Sequence, residues 1–407
     1  MLEGLRILSF CHYLQGPAGS QYLADLGAQV IKVEPLSGAH ERHWSGAKSF
    51  VGRVSSFYLC GNRNKRSLAI NLKHDRAKVI IEKLVTRSDA IIENFRPGVM
   101  DRLGLGYEDI KKIKQNIIYA SATGFGSSGP LANSPGQDLL IQARCGLVAS
   151  SGGASAGSTP VGAAIVDQHG GALLALGLLA AYIRLLRDGV GSRVESNLLS
   201  AGVDLQVEAI TAYFAAKADR SIYSRDSNLA TWFHEAPYGI YRTRDRLIAV
   251  SVNSLQLIGE ALQSRDLLNL HSQGEDPFYE RDTYAQVLGK ELGNWKFDDL
   301  VERFDRYNVW YSPVQDYEDL AKDLQVKHNK LFTEIIVEGE PVKMLKHPVT
   351  YDGTAPEIRY LALNPGEDSQ AILEEIGLTL SEIRDLEEME VIHCGVKKDS
   401  REACVAH

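Results

Sequence analysis

Between residues 5 and 125 short apolar runs alternate with amphipathic stretches, and no other feature of the chain limits its fold as strongly. LRILSF (5–10) reads as a strand, Pro17 opens a helical stretch PAGSQYLADLGA that ends at Gly27, and QVIKVE (29–34) reads as a second strand. The pattern then returns: strand SLAINL (67–72), helix DRAKVIIEKLVTRS (75–88), strand AIIENF (90–95), a helix at 107–115 and strand NIIYASATGF (116–125). Consecutive strands joined through a helix pair in parallel, and the crossover is right-handed in nearly all known cases. The expectation is an α/β fold: an open parallel sheet with helices on both faces.

A chain of 407 residues is too long for one average domain, so a second domain is expected. Residues 150–158 (SSGGASAGS) read as a loop, about 168–187 as a long Ala/Leu-rich helix, 192–198 as a strand, and the segment to about 217 as a further helix. From about 225 the character changes to YGIYRT and LIAVSV followed by helices to about 330. The reading is therefore a large Rossmann-like domain over 1–217 and a smaller α+β domain over 225–330. A segment at 345–392, with an acidic helical hairpin at 366–391, should return to the large domain, and 393–407 should be a mobile tail.

With a formal charge of −8, broad attraction to nucleic acid or to an anionic membrane is not expected. The opening MLEGLRILSF has neither a long apolar core nor a small-residue cleavage site, so no secretory signal is expected. The longest apolar stretch, Ala172 to Ile183, falls short of the ~20 residues that cross a bilayer. Cys11, Cys60, Cys145, Cys394 and Cys404 are scattered and form no C-x-x-C pair, and no H-E-x-x-H is present. A disulfide framework or a metal site is not expected, and a reducing cytoplasm fits.

Three places could carry chemistry. The first βα turn is Gln15-Gly16-Pro17-Ala18-Gly19, which lacks the G-x-G-x-x-G of a nicotinamide site; Glu34 at the second strand's end then reads as a solvated residue. Basic residues cluster between 61 and 102: Arg63, Lys65 and Arg66 before the third strand, Lys73 after it, then Arg96 and Arg102. Asn94-Phe95-Arg96 ends a strand, where α/β sheets bind ligands, and a guanidinium beside a helix N-terminus there could grip a phosphate; the alternative is a set of solvated surface charges. Asp167, in AAIVDQHGG, follows an apolar run and precedes the long helix. It is either a helix cap or a carboxylate kept charged by the helix N-terminus while partly buried, the state a carboxylate nucleophile requires.

The stretches LQGPAGSQYLADLGAQVIKVEP, GNRNKRSLAINL (61–72), IIENFRPGVMDRLGLGYEDI (91–110), ASATGFGSSGP (120–130), VGAAIVDQHGGALLALGLLAA and PGEDSQAILEEIGLTLSEI (365–383) together resemble the class III CoA-transferase family. The resemblance runs in order along almost the whole chain. It implies that Asp167 is the catalytic aspartate and that the substrate is an acyl-CoA, with coenzyme A the group carried and no metal or nicotinamide. It places Gln15, Asn94, Phe95, Arg96 and Arg102 on CoA-holding positions, with Arg102 at a phosphate. Ile70, Asn71, Leu72 and Lys73 would border the adenine and ribose, and Pro135, Gly136, Gln137 and Asp138 the thioester end. It further implies a homodimer of two interlocked chains.

Two departures narrow the activity. Racemases of this family carry a histidine where this chain has Gln137, and a glutamine neither accepts nor donates a proton at neutral pH. Formyl-CoA transferases carry a glutamine at Leu14 and a glycine run near TWFHEAPYG (231–239). The expected reaction moves CoA from an acyl-CoA to a free carboxylic acid; an acyl-CoA racemase or a non-catalytic CoA-binding partner subunit are the alternatives. Succinyl-CoA and a small dicarboxylic acid are the expected pair, with Arg225, Arg242 and Arg244 as groups that could meet a distal carboxylate. The glycines at 151–157 are a candidate lid, together with the second domain.

Overall fold

The computed structural model of the protein describes residues 1–152, 157–274 and 276–396. It divides into two compact units, one formed by Met1–Ile141, Ala164–Gly202 and Gln325–His407, the other by Gln142–Ala163 and Val203–Leu324. The sequence reading drew the first boundary at 217; here residues 142–163 and 203–217 belong to the second unit.

The first unit is built on a seven-stranded sheet. Its strands are β1 (Arg6–Phe10), β2 (Gln29–Glu34), β3 (Lys65–Ile70), β4 (Ala90–Glu93), β5 (Ile118–Thr123), β6 (Ser192–Asn197) and β7 (Ile392–His393). Their order across the sheet is β7-β3-β2-β1-β4-β5-β6. The first six are mutually parallel, and β7 pairs antiparallel with β3 through Ile392↔Ile70 and His393↔Ala69. Strand order reverses on either side of β1, so the loops leaving β1 and β4 diverge and open a crevice at their carboxyl ends.

Alternation along β1 shows how the sheet is covered. Ile7 packs on one face with Leu23 and Ala24 of α1 (Gln15–Asp25) and with Leu174 and Leu178 of a long helix described below. Leu8 and Phe10 pack on the other face with Ile80, Ile81 and Leu84 of α2 (Asp75–Arg87). Successive strand side chains point to opposite faces, so both must be apolar when both are buried. After β4 the chain turns at Gly98 (φ 80°) into the single turn α3 (Val99–Arg102).

Beyond β5 lie α4 (Asp138–Arg144) and then α5 (Ile165–Asp188), a helix of 24 residues. By length and composition α5 could cross a bilayer, which corrects the shorter stretch read from sequence. Here it packs on α1, β5 and β6 within the first unit, with Leu176, Ile183 and Leu186 on its exposed side.

The return to the first unit starts earlier than 345, at Gln325, and includes a hairpin of strands Phe332–Val337 and Glu340–Leu345. Helices α6 (Ser369–Glu375) and α7 (Leu380–Glu388) follow, the latter with a reciprocal Thr379–Glu382 capping box. Asp368 accepts the Ser67 amide at 2.9 Å, tying this segment to β3. The tail expected from 393 is fixed as far as Gly395, whose amide donates to the Gly366 carbonyl. Residues 397–407 of that expectation lie outside the described residues.

The second unit contains a three-stranded antiparallel sheet (Gly239–Arg242, Leu247–Val250, Tyr311–Pro313) with helices packed around Tyr241, Ile248, Leu288 and Phe304. Arg225, offered above as a carboxylate receptor, is 2% exposed and donates to the Ser150, Tyr223, Leu229 and Ala230 carbonyls. That guanidinium is committed to holding backbone. Arg244 likewise donates to the Asn294 carbonyl.

Candidate active site

The site forms where α1 and α5 cross. A Cβ on Gly19 would stand 2.8 Å from the Gly171 carbonyl, and one on Gly171 would stand 2.9 Å from the Gln15 carbonyl. Both contacts lie inside the normal separation, so only glycine lets the two helices approach this closely. The crossing lies one turn below Gln15, the first residue of α1, and one turn below Asp167 in the first turn of α5. Helix side chains lean toward the N-terminus, so the crossing brings two helix starts to one place.

A cavity of about 90 Å³ lies there, lined in part by Tyr13, Leu14, Gln15, Asn94, Phe95, Arg96, Thr123, Gly136 and Asp167. Three strand ends contribute to it: the loops after β1, β4 and β5. Asn94 clamps the first two, accepting the His12 amide at 2.8 Å and donating to the His12 carbonyl at 2.7 Å. Gly124 and Gly136 pack back to back, each a would-be Cβ only 2.5–2.7 Å from the other's Cα. Tyr13 and Thr123 did not figure in the sequence reading. The rule that pointed to Asn94, namely ligands at the carboxyl ends of parallel strands, points to the ends of β1 and β5 as well.

Asp167 is not the cap of α5. Ala164 holds that position without a side-chain cap, and the Val166 and Asp167 amides donate instead to one oxygen of Asp138, at 2.8 and 3.0 Å. The expectation that the helix N-terminus holds Asp167 ionised is therefore corrected: Asp138 occupies the donors. Burial, reinforced by the Asp138 charge, pushes the Asp167 carboxyl up to about 7. A carboxylate so poorly solvated is more basic, and a better nucleophile once ionised, than one in water.

A larger cavity of about 440 Å³ lies beside the first, lined by His12, Val33, Glu34, Pro35, Leu36, Ile70, Asn71, Leu72, Lys73, Phe95, Val99 and Leu103. The structure thus brings Ile70 to Lys73 together at the carboxyl ends of β2 and β3, and Phe95 borders both cavities. Glu34 is not solvated. It is buried, paired with Arg42 at 2.7 Å and bonded by the Ser67 hydroxyl. Burial alone would raise its pKa, but the Arg42 guanidinium and these hydrogen bonds outweigh it and hold the group at about 2. His12 is pushed down to about 4 by burial and the Lys32 charge, so its ring is neutral.

The basic cluster separates into two sets. Arg63 is buried against Asp25, Lys65 is buried on the Pro17 and Gly61 carbonyls, and Arg66 pairs with Glu375. These three support the fold. Lys73, Arg96 and Arg102 are exposed and have no ion-pair partner among the described residues; Lys73 lines the larger cavity and Arg96 the smaller, while Arg102 lines neither, although its α3 neighbours Val99 and Leu103 line the larger one. Of the thioester-end set, Gly136 lines the small cavity, Asp138 caps α5, and Pro135 and Gln137 are exposed. The proposed glycine lid falls largely on residues 153–156, outside the described residues.

An α/β sheet with a crevice at its switch point, a poorly solvated carboxylate there and exposed cations without an ion-pair partner among the described residues make a site suited to an anionic ligand. Residues 2–369 match the family model for CoA-transferase family III, and the chain belongs to that family. A protein of Fusarium pseudograminearum named acyl-CoA transferase is 29% identical over 412 residues, 96% of this chain and 88% of its own. A mouse protein named succinyl-CoA:glutarate CoA-transferase is 30% identical over 392 residues, 92% of this chain and 86% of its own. The crystal structure of a CAIB/BAIF family protein from Brucella suis matches at a TM-score of 0.78 and 26% identity, covering 92% of this chain and 99% of that one.

Proposed function

We propose that the protein moves CoA from an acyl-CoA to a free, small carboxylic acid, with Asp167 as the nucleophile. The observation that carries this reading is the Asp167 carboxyl itself, weakly hydrated and pushed up to about 7 at the crevice between β1 and β4. An ionised Asp167 oxygen attacks the thioester carbonyl, the C–S bond breaks, and CoA leaves as thiolate, giving a mixed anhydride. The thiolate attacks the Asp167 carbonyl carbon, releasing the donor's carboxylate and leaving an aspartyl-CoA thioester. The acceptor carboxylate attacks that thioester to form a second anhydride and free thiolate. Thiolate attack on the acceptor's carbonyl then yields the new acyl-CoA and restores Asp167. Each step exchanges one activated carboxyl for another, so no ATP is required.

The 440 Å³ cavity suits the adenosine end of CoA, with Lys73, Arg96 and Arg102 for its phosphates. The 90 Å³ space beside Asp167 suits a short acid. Succinyl-CoA and a small dicarboxylic acid remain the proposed pair, supported by the name of the mouse relative. Among the described residues, the small cavity's lining holds no imidazole or amine, which disfavours proton transfer between two bases. Incubating the protein with succinyl-CoA and a panel of free acids, read by mass spectrometry, should reveal a new acyl-CoA for a short dicarboxylic acid. No new thioester with any acid would overturn the reading.

Arg102→Ala is expected to weaken CoA-ester binding by about 1.5–3 kcal/mol, the size of a lost charge-assisted hydrogen bond. Arg102 is exposed and has no ion-pair partner among the described residues, so the melting temperature should not move. Calorimetric titration giving wild-type affinity in the folded variant would remove Arg102 from the phosphate site.

A further inference from the structure

Gln15 is 4% exposed, and its Nε2 is buried without a hydrogen-bond partner among the described residues. A buried amide donor left unpaired is costly, and folded chains rarely tolerate one without a use for it. Its surroundings indicate the use. Gln15 lines the same small cavity as Asp167. A Cβ on Gly170, one helical turn beyond Asp167, would stand 3.0 Å from that Nε2 and 3.3 Å from the Gln15 Cγ. The carboxamide thus lies close against Gly170, where an added side chain would have to push it aside by a few tenths of an ångström. Independently, α1 begins at Gln15 with no side-chain cap, so the positive end of its dipole faces the same space.

We propose that Gln15 is a catalytic residue whose Nε2 donates to the carbonyl oxygen that Asp167 carries once it is acylated or thioesterified. When thiolate or acceptor carboxylate adds to the Asp167 carbonyl carbon, the C=O pair moves onto that oxygen. Nε2 holds the resulting oxyanion until the C–O or C–S bond to the leaving group breaks and the pair returns. In the resting protein the donor waits unpaired. This rests on the transfer reading above and gives Gln15 a role in the chemical steps, where the family resemblance implied only a contact with CoA.

Removing one preorganised oxyanion donor typically costs about 10²–10³-fold in kcat. Gln15→Met keeps the length of the side chain and removes the donor; Gln15→Ala removes the side chain. Both should lose about 10²-fold or more in kcat, with CoA-ester affinity within about threefold of wild type. Gln15→Met should melt close to wild type, because the Nε2 it loses satisfies no partner; Gln15→Ala also empties buried volume and should melt somewhat lower. In single turnover, CoA should appear on the Asp167 peptide correspondingly slowly. Wild-type kcat in either folded variant overturns the proposal, as does a loss that appears only in CoA affinity. Gln15→Met melting well below wild type would make Gln15 a packing residue and overturn it equally. Asp167→Asn, measured alongside, separates the two readings. If Asp167→Asn is inactive and Gln15→Met is normal, only the role of Gln15 falls; if Asp167→Asn is active, the transfer mechanism falls as well.

Discussion

Asp167→Asn should lower CoA transfer by about 10⁴-fold or more, the scale on which enzymes lose a covalent nucleophile. The substitution keeps the shape of the side chain and removes the charge. It should leave the start of α5 intact for a specific reason: the Val166 and Asp167 amides donate to Asp138, so residue 167 contributes no cap to lose. An inactive variant therefore cannot be explained by a frayed helix, and circular dichroism should match wild type. The covalent intermediate gives a second readout. Wild-type protein treated with an acyl-CoA and then with hydroxylamine should carry a hydroxamate on the peptide containing Asp167, and the variant should carry none. A wild-type preparation that turns over without that modification would mean that another residue forms the acyl bond.

The sheet was legible because both of its faces are buried. Ile7 and Leu8 are each apolar and each needed, on opposite sides, so β1 reads as an unbroken run bounded by Gly4 and the Tyr13–Gln15 turn. The order of strands was not legible, since periodicity reports which residues share a face and says nothing of which strands are neighbours. The pairing of β7 with β3 is a two-residue contact made more than 300 positions away in the chain, with no local signature. Asp167 stood out by its place between an apolar run and a long helix. Its electrostatic state could not be read from sequence, because it depends on Asp138, 29 residues earlier, taking the helix amides. The basic residues show the same limit. Arg63, Lys65 and Arg66 look like Lys73, Arg96 and Arg102 in a sequence, and only Asp25, the Pro17 and Gly61 carbonyls and Glu375 reveal that the first three are spent on folding.

The same carboxyl that serves chemistry should weaken the fold, and the pH dependence of stability should expose it. In the folded chain Asp167 keeps its proton up to about 7, whereas an unperturbed aspartate loses it near 3.8. Between those two values the folded chain binds more protons at this site than the unfolded chain does. Stability from this group is therefore fully present at pH values below the unfolded pKa and is lost as pH rises through the folded one. Above that point wild type bears the whole penalty. A shift of this size corresponds to at most about 4 kcal/mol, at about 1.36 kcal/mol per pKa unit. Partial exposure of Asp167 and relaxation around Asp138 should reduce it. An asparagine does not ionise, so Asp167→Asn should unfold at a higher urea concentration than wild type at pH 8. At pH 4, where the aspartate is protonated in the folded chain and already partly so in the unfolded one, the gain should shrink to a small remainder, and it should vanish as pH falls further below 3.8. A gain of equal size at pH 4 and pH 8 would place its origin in packing, and no gain at pH 8 would mean that Asp167 is stabilised as an anion after all. The expected pairing, a variant that is more stable at pH 8 and nearly inactive, is the signature of a carboxylate kept poorly solvated for reaction.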